Sequence, residues 1–264
     1  PITGYTATCG ARSAAGSASP ISVIGLINGA TTSCSVTTAS AIGSGPASAS
    51  SNSVTPGLPG AYAYVAKGGT DAAVINLANN AVVATIPLVS SQTGVAASPD
   101  GSRVYLVSQG TDDVTVINTQ TNSVVTRIPV PNRPWSAVVS PDSSLVYVTQ
   151  SSGNAISVIS AATNTVVSTI PNIQSGYGIA ITPDGQRLYV APAGGAFVYT
   201  VDTTTYATAT IGVGSYPIAV AVSPDGARAY VTALIGNNLT VIDNATATAI
   251  ATIPVGSTPH GVTV

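Results

Sequence analysis

Glutamate and methionine are absent from this chain, and lysine occurs once, at Lys67. Nine acidic residues, all aspartate, face seven basic ones over 264 positions, so charged residues make up 6% of the sequence. An ordinary soluble domain carries about 25%. Without a basic patch the chain lacks the electrostatic footprint of a nucleic-acid binder. A formal net charge of −2 also leaves little repulsion between copies. No apolar run is long enough for a helical membrane span. No helical pattern is legible and no glycine-rich loop leads into one, which removes a phosphate or dinucleotide site. His260 is the one histidine, so a hydrolytic triad has a single base to draw on. No cofactor and no metal site is expected.

What the chain does contain is a phrase recurring about every 42 residues: Ser98-Pro99-Asp100-Gly101, Ser140-Pro141-Asp142, Thr182-Pro183-Asp184-Gly185 and Ser223-Pro224-Asp225-Gly226. Each is followed by a tyrosine seven positions after its first residue, Tyr105, Tyr147, Tyr189 and Tyr230. Proline presets φ and glycine accepts positive φ, so the phrase is a turn. The runs around it are short, β-branched and apolar on both faces, as in sheets sandwiched between sheets. A weaker copy has Val54-Thr55-Pro56-Gly57 as its turn and Tyr62 as its tyrosine. A fixed period of this size with four short strands per copy predicts an all-β fold, a six-bladed β-propeller of four-stranded antiparallel blades.

Five repeats occupy residues 46–260 of a single domain, and the sixth blade is expected at the ends. There Gly4–Thr8, Ile21–Gly25 and Thr32–Val36 supply three strands, and His260-Gly261-Val262-Thr263-Val264 reads as the innermost one. Residues 1–45 and 261–264 then make a seam blade that removes two exposed sheet edges. The alternative is that the last strand is lent to the next molecule. Repeat spacing marks an insertion at residues 37–53, either a surface loop or an arm that docks on a neighbour. The start at Pro1, with no signal peptide, reads as a processed form.

Cys9 and Cys34 both fall in the N-terminal blade, where a disulfide would staple the seam; two buried thiols are the alternative. Asn238-Leu239-Thr240 and Asn244-Ala245-Thr246 match the glycan acceptor pattern. Asp100, Asp142, Asp184 and Asp225 recur one per repeat, too far spread to chelate one ion. Arg103, Arg187 and Arg228 follow the turns and are expected to pair with those aspartates. His260 is equivalent by repeat to Thr93, Trp135, Tyr177 and Ile218, positions that should ring one mouth of a central channel. Trp135, Tyr177 and His260, with Arg133 and Tyr216 nearby, form a candidate ligand-binding site for a sugar or peptide by stacking and hydrogen bonding. The other reading is packing between blades.

The turn phrase, the Val146-Tyr147-Val148-Thr149 strand, the Val241-Ile242-Asp243 strand and Thr163-Asn164-Thr165-Val166-Val167 resemble the YVTN family of β-propeller repeats. The likeness covers residues 50–264 strongly and the first 45 weakly. It implies a secreted or cell-surface protein, since such repeats are common in surface-layer and other exported proteins. It also leaves a lactonase-like enzyme open, although clustered acids, histidines or a cofactor ligand set are missing here. The expected function is a non-enzymatic extracellular structural protein whose partner is itself, in a filament or surface layer. A cell-surface module that binds glycan or peptide is the alternative, and an exported lactonase-like enzyme the third.

Overall fold

The structure is a computed structural model of the chain and describes all residues except 20, 22, 24–31, 54–60 and 67. Among the described residues every helical or extended element is a strand, as β-branched runs broken by Pro, Gly, Asn and Asp turns dictate. β1 (Ile2–Cys9), β2 (Arg12–Gly16), β3 (Cys34–Ser40) and β4 (Gly43–Ser44) form an antiparallel sheet in the order β2-β1-β3-β4. β5 (Tyr62–Ala66), β6 (Asp71–Asn76) and β7 (Ala81–Pro87) form a three-stranded sheet. Four four-stranded meanders follow. The first is β8 (Gly94–Ala97), β9 (Arg103–Ser108), β10 (Asp113–Asn118) and β11 (Ser123–Pro129). The second is β12 (Pro134–Val139), β13 (Leu145–Gln150), β14 (Ala155–Ser160) and β15 (Thr165–Pro171). The third is β16 (Gly176–Ile181), β17 (Arg187–Pro192), β18 (Phe197–Asp202) and β19 (Thr208–Gly212). The last is β20 (Pro217–Val222), β21 (Arg228–Ala233), β22 (Asn238–Asp243) and β23 (Thr248–Pro254). The all-β class and the six antiparallel sheets that the repeat calls for are present.

The chain divides into two compact units, Pro1–Tyr62 with Asn76–Asn80, and Ala63–Ile75 with Ala81–Val264, where the repeat predicts one domain. In the first unit β1 pairs with β2 and β3. Arg12–Gly16 thus takes up the edge that the seam strand is expected to fill. Residues 261–264 carry no ladder among the described residues. The expected Ile21–Gly25 strand and the Val54–Gly57 turn lie largely outside the described residues. Residues 37–53 are not a free loop. They complete β3 and return beside it, with Gly45, Ser48 and Ser51 donating backbone N–H to the carbonyls of Thr38, Val36 and Cys34 at 2.7–2.9 Å.

In the second unit the innermost strands β8, β12, β16 and β20 pack side by side. They approach so closely that a Cβ on Gly94 would lie 2.7 Å from the Trp135 carbonyl oxygen, and one on Gly178 2.6 Å from that of Ile218. Successive sheets bury apolar faces against each other. Tyr105, Val114, Val116 and Ile128 meet Val146, Val148 and Ile159, and Tyr147, Ile156 and Val158 meet Leu188, Val190 and Val201. Each fully buried side chain of this size contributes roughly 1.5–3 kcal/mol. The tyrosine of the first repeat is Tyr64 rather than Tyr62. The Leu77 N–H bonds the carbonyl three residues before Tyr64, as the N–H groups of Thr119, Ala161, Thr203 and Asn244 do three residues before Tyr105, Tyr147, Tyr189 and Tyr230. Tyr64 Oη also reaches Asn122 in the next sheet at 2.7 Å, as Tyr189 Oη reaches Asn244 at 2.8 Å.

Candidate functional site

The repeated turn is a closed hydrogen-bond unit. Ser98, Ser140, Thr182 and Ser223 are buried, and each hydroxyl donates to the aspartate two residues on at 2.5–2.6 Å. The same oxygen accepts the N–H of Arg103, Leu145, Arg187 or Arg228 at 2.9–3.0 Å. The carboxylate in turn accepts the N–H of Ser102, Ser144, Gln186 or Ala227. These bonds, the hydroxyl's first, hold all four carboxyls below the usual aspartate range. A second set of carboxamide and carboxylate turns closes third strands, a role the sequence reading leaves unassigned although a polar residue marks each one. Asn118 accepts from Gln120 and Thr121, Asp202 from Thr204 and Thr205, and Asp243 from Thr246.

Two of the three turn arginines, Arg103 and Arg187, reach past their aspartates to the next sheet. Arg103 Nη1 donates to the Ala161 carbonyl and Asn164 Oδ1 at 3.0 and 2.6 Å, and Arg187 Nη1 donates to the Asn244 carbonyl at 2.6 Å. Each therefore ties its sheet to the outer turn of the next. Asn244 also receives the Tyr189 hydroxyl and donates to the Gly226 carbonyl at 2.6 Å, and it is buried. Asn238 donates to the Gly236 carbonyl, with its own Oδ1 buried. Both expected glycan acceptors are thus packed into turns, because the turn needs their amides.

The residues expected at a channel mouth follow a left-handed bend, which recurs ahead of β12, β16 and β20 and before His260. Arg133, Ser175, Tyr216 and Thr258 occupy equivalent positions with φ of 56°, 45°, 60° and 52°, a region that disfavours all of them. Hydrogen bonds from the backbone N–H hold the bend, as where the Asp112 carboxylate oxygen Oδ1 accepts the Arg133 N–H at 2.8 Å. Trp135 and Tyr177, both half-buried, come into ring contact with centroids 4.3 Å apart. Arg133 and His260 are exposed, and Tyr216 and Ile218 are half-buried one repeat beyond Tyr177. His260 is held through its carbonyl, which accepts from Thr232 Oγ1 at 3.1 Å. An aromatic pair is thus assembled, with a cation beside its strand.

Asp112 and Asp113, the acidic pair, part company. Asp112 serves the Arg133 bend, while Asp113 is half-buried with Oδ1 lacking a hydrogen-bond partner, and desolvation raises its pKa. Among the described residues no three His, Cys, Asp or Glu side chains gather as a metal site. Cys9 and Cys34 form a disulfide across the β1–β3 ladder of the first unit, rather than across a seam. No helix among the described residues is long and apolar enough to cross a membrane.

These features define a protein of the β-propeller class, and solved propellers resemble it. Hydrazine synthase from Kuenenia stuttgartiensis matches at 26% identity with a TM-score of 0.58, over 61% of this chain and 48% of that one. Dihydro-heme d1 dehydrogenase NirN, solved in complex with DHE, matches at 20% identity and a TM-score of 0.64, over 77% of this chain and 46% of that one. U3-55K matches at 10% identity and a TM-score of 0.66, over 73% and 61%. The matched part is between 46% and 61% of the length of those chains. No protein-family model matches the chain, and no curated protein does.

Proposed function

We propose that this protein is an exported, non-enzymatic structural subunit that assembles with copies of itself into a filament or surface layer. The observation that carries this reading is an apolar row on β23, the last strand of the second unit, that is exposed among the described residues. The isoleucine of the outermost strand is 2%, 2%, 0% and 8% exposed at Ile86, Ile128, Ile170 and Ile211, and 45% exposed at Ile253. Val255 beside it is exposed too. Large exposed apolar faces mark interaction sites, and 6% charge does little to keep copies apart. The disulfide fits an oxidising compartment, and the YVTN-type repeat resemblance points to the same setting. Electron microscopy of native material with light-scattering mass tests the reading. Long polymers or sheets are expected, and a uniform 25.9 kDa particle overturns it.

The Trp135–Tyr177 ring contact favours a second reading, a surface module that binds a glycan or peptide. On that reading Trp135→Ala abolishes retention on a glycan array without changing particle mass, whereas the structural reading expects no retention by either form.

A further inference from the structure

At two of the contacts between neighbouring sheets of the second unit, the repeat tyrosine is closed by an asparagine of the outer turn opposite. Tyr64 Oη donates to Asn122 Oδ1 at 2.7 Å, and Tyr189 Oη to Asn244 Oδ1 at 2.8 Å. Tyr105 is left without such a partner. It is fully buried, and its Oη makes no hydrogen bond among the described residues. Two repeat positions account for this. Ala161 stands where Asn244 does, and Asn164 stands where Asn122 does but accepts Arg103 Nη1 on its Oδ1 at 2.6 Å. The first repeat has Tyr62 in the position of Arg103, which leaves Asn122 to Tyr64. The Arg103 guanidinium lies beside the Tyr105 phenol but outside hydrogen-bonding geometry. Desolvation raises the pKa of the phenol, which keeps it a donor. An unpaired buried donor is costly and rare.

The phenol lines a cleft of about 430 Å³ whose two walls both belong to the second unit, the turns of β8–β11 on one side and those of β12–β15 on the other. Ser143 and Ser160 line it too. They accept the N–H groups of Asp100 and Thr163 at 3.1 and 3.4 Å, and their hydroxyl hydrogens have no acceptor among the described residues. Arg103 adds a cation whose Nη1 bonds go to neutral oxygens, the Ala161 carbonyl and Asn164 Oδ1. Asp100 is exposed at the rim, its two oxygens already accepting the hydroxyls of Ser98 and Ser102. Three hydroxyl donors without acceptors and one cation thus line a space large enough for a small organic molecule. The cleft between β16–β19 and β20–β23 differs in kind. It carries Asp184, Asp202, Asp225 and Asp243 against Arg187, and there Tyr189 is already paired.

We propose that the Tyr105 cleft binds a small organic carboxylate, whose oxygens accept from the Tyr105, Ser143 and Ser160 hydroxyls beside the Arg103 charge. An ionised carboxylate only accepts, with about four lone-pair sites on its two oxygens, and hydrogen bonds to it are stronger than neutral ones. The site is separate from the Trp135–Tyr177 pair and does not depend on self-assembly.

Saturation-transfer NMR of the full chain with lactate as the probe tests this, with methyl lactate as the uncharged control. Transfer to lactate is expected, and Tyr105→Phe, which keeps the ring and the fold, should weaken binding about five- to tenfold. Tyr189→Phe removes a phenol that is already paired and should bind lactate as wild type does. Ala161→Asn supplies the partner that Asn244 gives Tyr189, so it should raise the melting temperature and abolish transfer. Wild-type protein that shows no transfer to lactate overturns the proposal, as does a Tyr105→Phe variant with unchanged affinity. Methyl lactate bound as tightly as lactate overturns the carboxylate as the ligand class.

Discussion

Ser98 and its equivalents carry more than their place in a turn phrase suggests, because one buried hydroxyl serves a carboxylate, a backbone N–H and the start of the second strand. Removing it leaves the Arg103 N–H without its side-chain acceptor, and Ser98→Ala is expected to cost about 1 kcal/mol, read by chemical denaturation. The carboxyls it and its equivalents hold have folded-state pKa values below the unfolded value. Their stabilisation is therefore present above the ordinary aspartate range and lost as pH falls through the lowered values. In a thermal scan against pH their contribution should be undiminished down to about pH 4 and fall only below it. Asp113 has the opposite sign. Its raised pKa means that the buried charge weakens the fold as pH rises through that value, so Asp113→Asn should raise the melting temperature at pH 7 and make little difference near pH 3.

At the scale of the element, the innermost strands are set by what cannot fit between them. Gly178 lies against the Ile218 carbonyl and the Ala219 Cα, so Gly178→Val forces two strands apart and is expected to destabilise by about 1–3 kcal/mol, measured by denaturant melts. At Gly261, the equivalent position past the last sheet, a Cβ would meet nothing within 4 Å, and Gly261→Ala should leave the melting temperature of the dissociated chain unchanged. The cystine spans 25 residues of sequence in the first unit, a closure worth about 3 kcal/mol in the chain-entropy account. Reduction is expected to expose amides of β1 and β3 to hydrogen exchange while β9, β13 and β17 stay protected.

The second unit is organised by sheet stacking. Internal sheets bury both faces, whereas Ile253, Val255 and Val65 remain in water. Deleting residues 261–264 is expected to change particle size under the structural reading, and sedimentation of wild-type and truncated chains compares them. The propellers that resemble this chain include two whose names denote enzymes, and the His260→Ala variant should be indistinguishable from wild type in any hydrolytic screen under the structural reading.

The repeat phrase alone determined the strands, the turns and the sheet-by-sheet order, because Pro, Asp, Gly and β-branched residues act over a few positions and recur at one spacing. The tyrosine of the first repeat stands two residues from where the phrase puts it, since Ala61-Tyr62-Ala63-Tyr64 offers two candidates and only the Leu77 N–H to Ala61 carbonyl bond separates them. Trp135 beside Tyr177 was legible as a pair on one rim, from their equivalent positions. The arginine staples, the packed sequon asparagines and the cross-strand cystine were decided by tertiary structure, because each depends on which turn of a neighbouring sheet or which strand of the first unit comes within hydrogen-bonding or bonding reach. Ile253 reads like Ile128 in the sequence, and only the tertiary structure separates them, Ile128 buried against the next sheet and Ile253 exposed among the described residues.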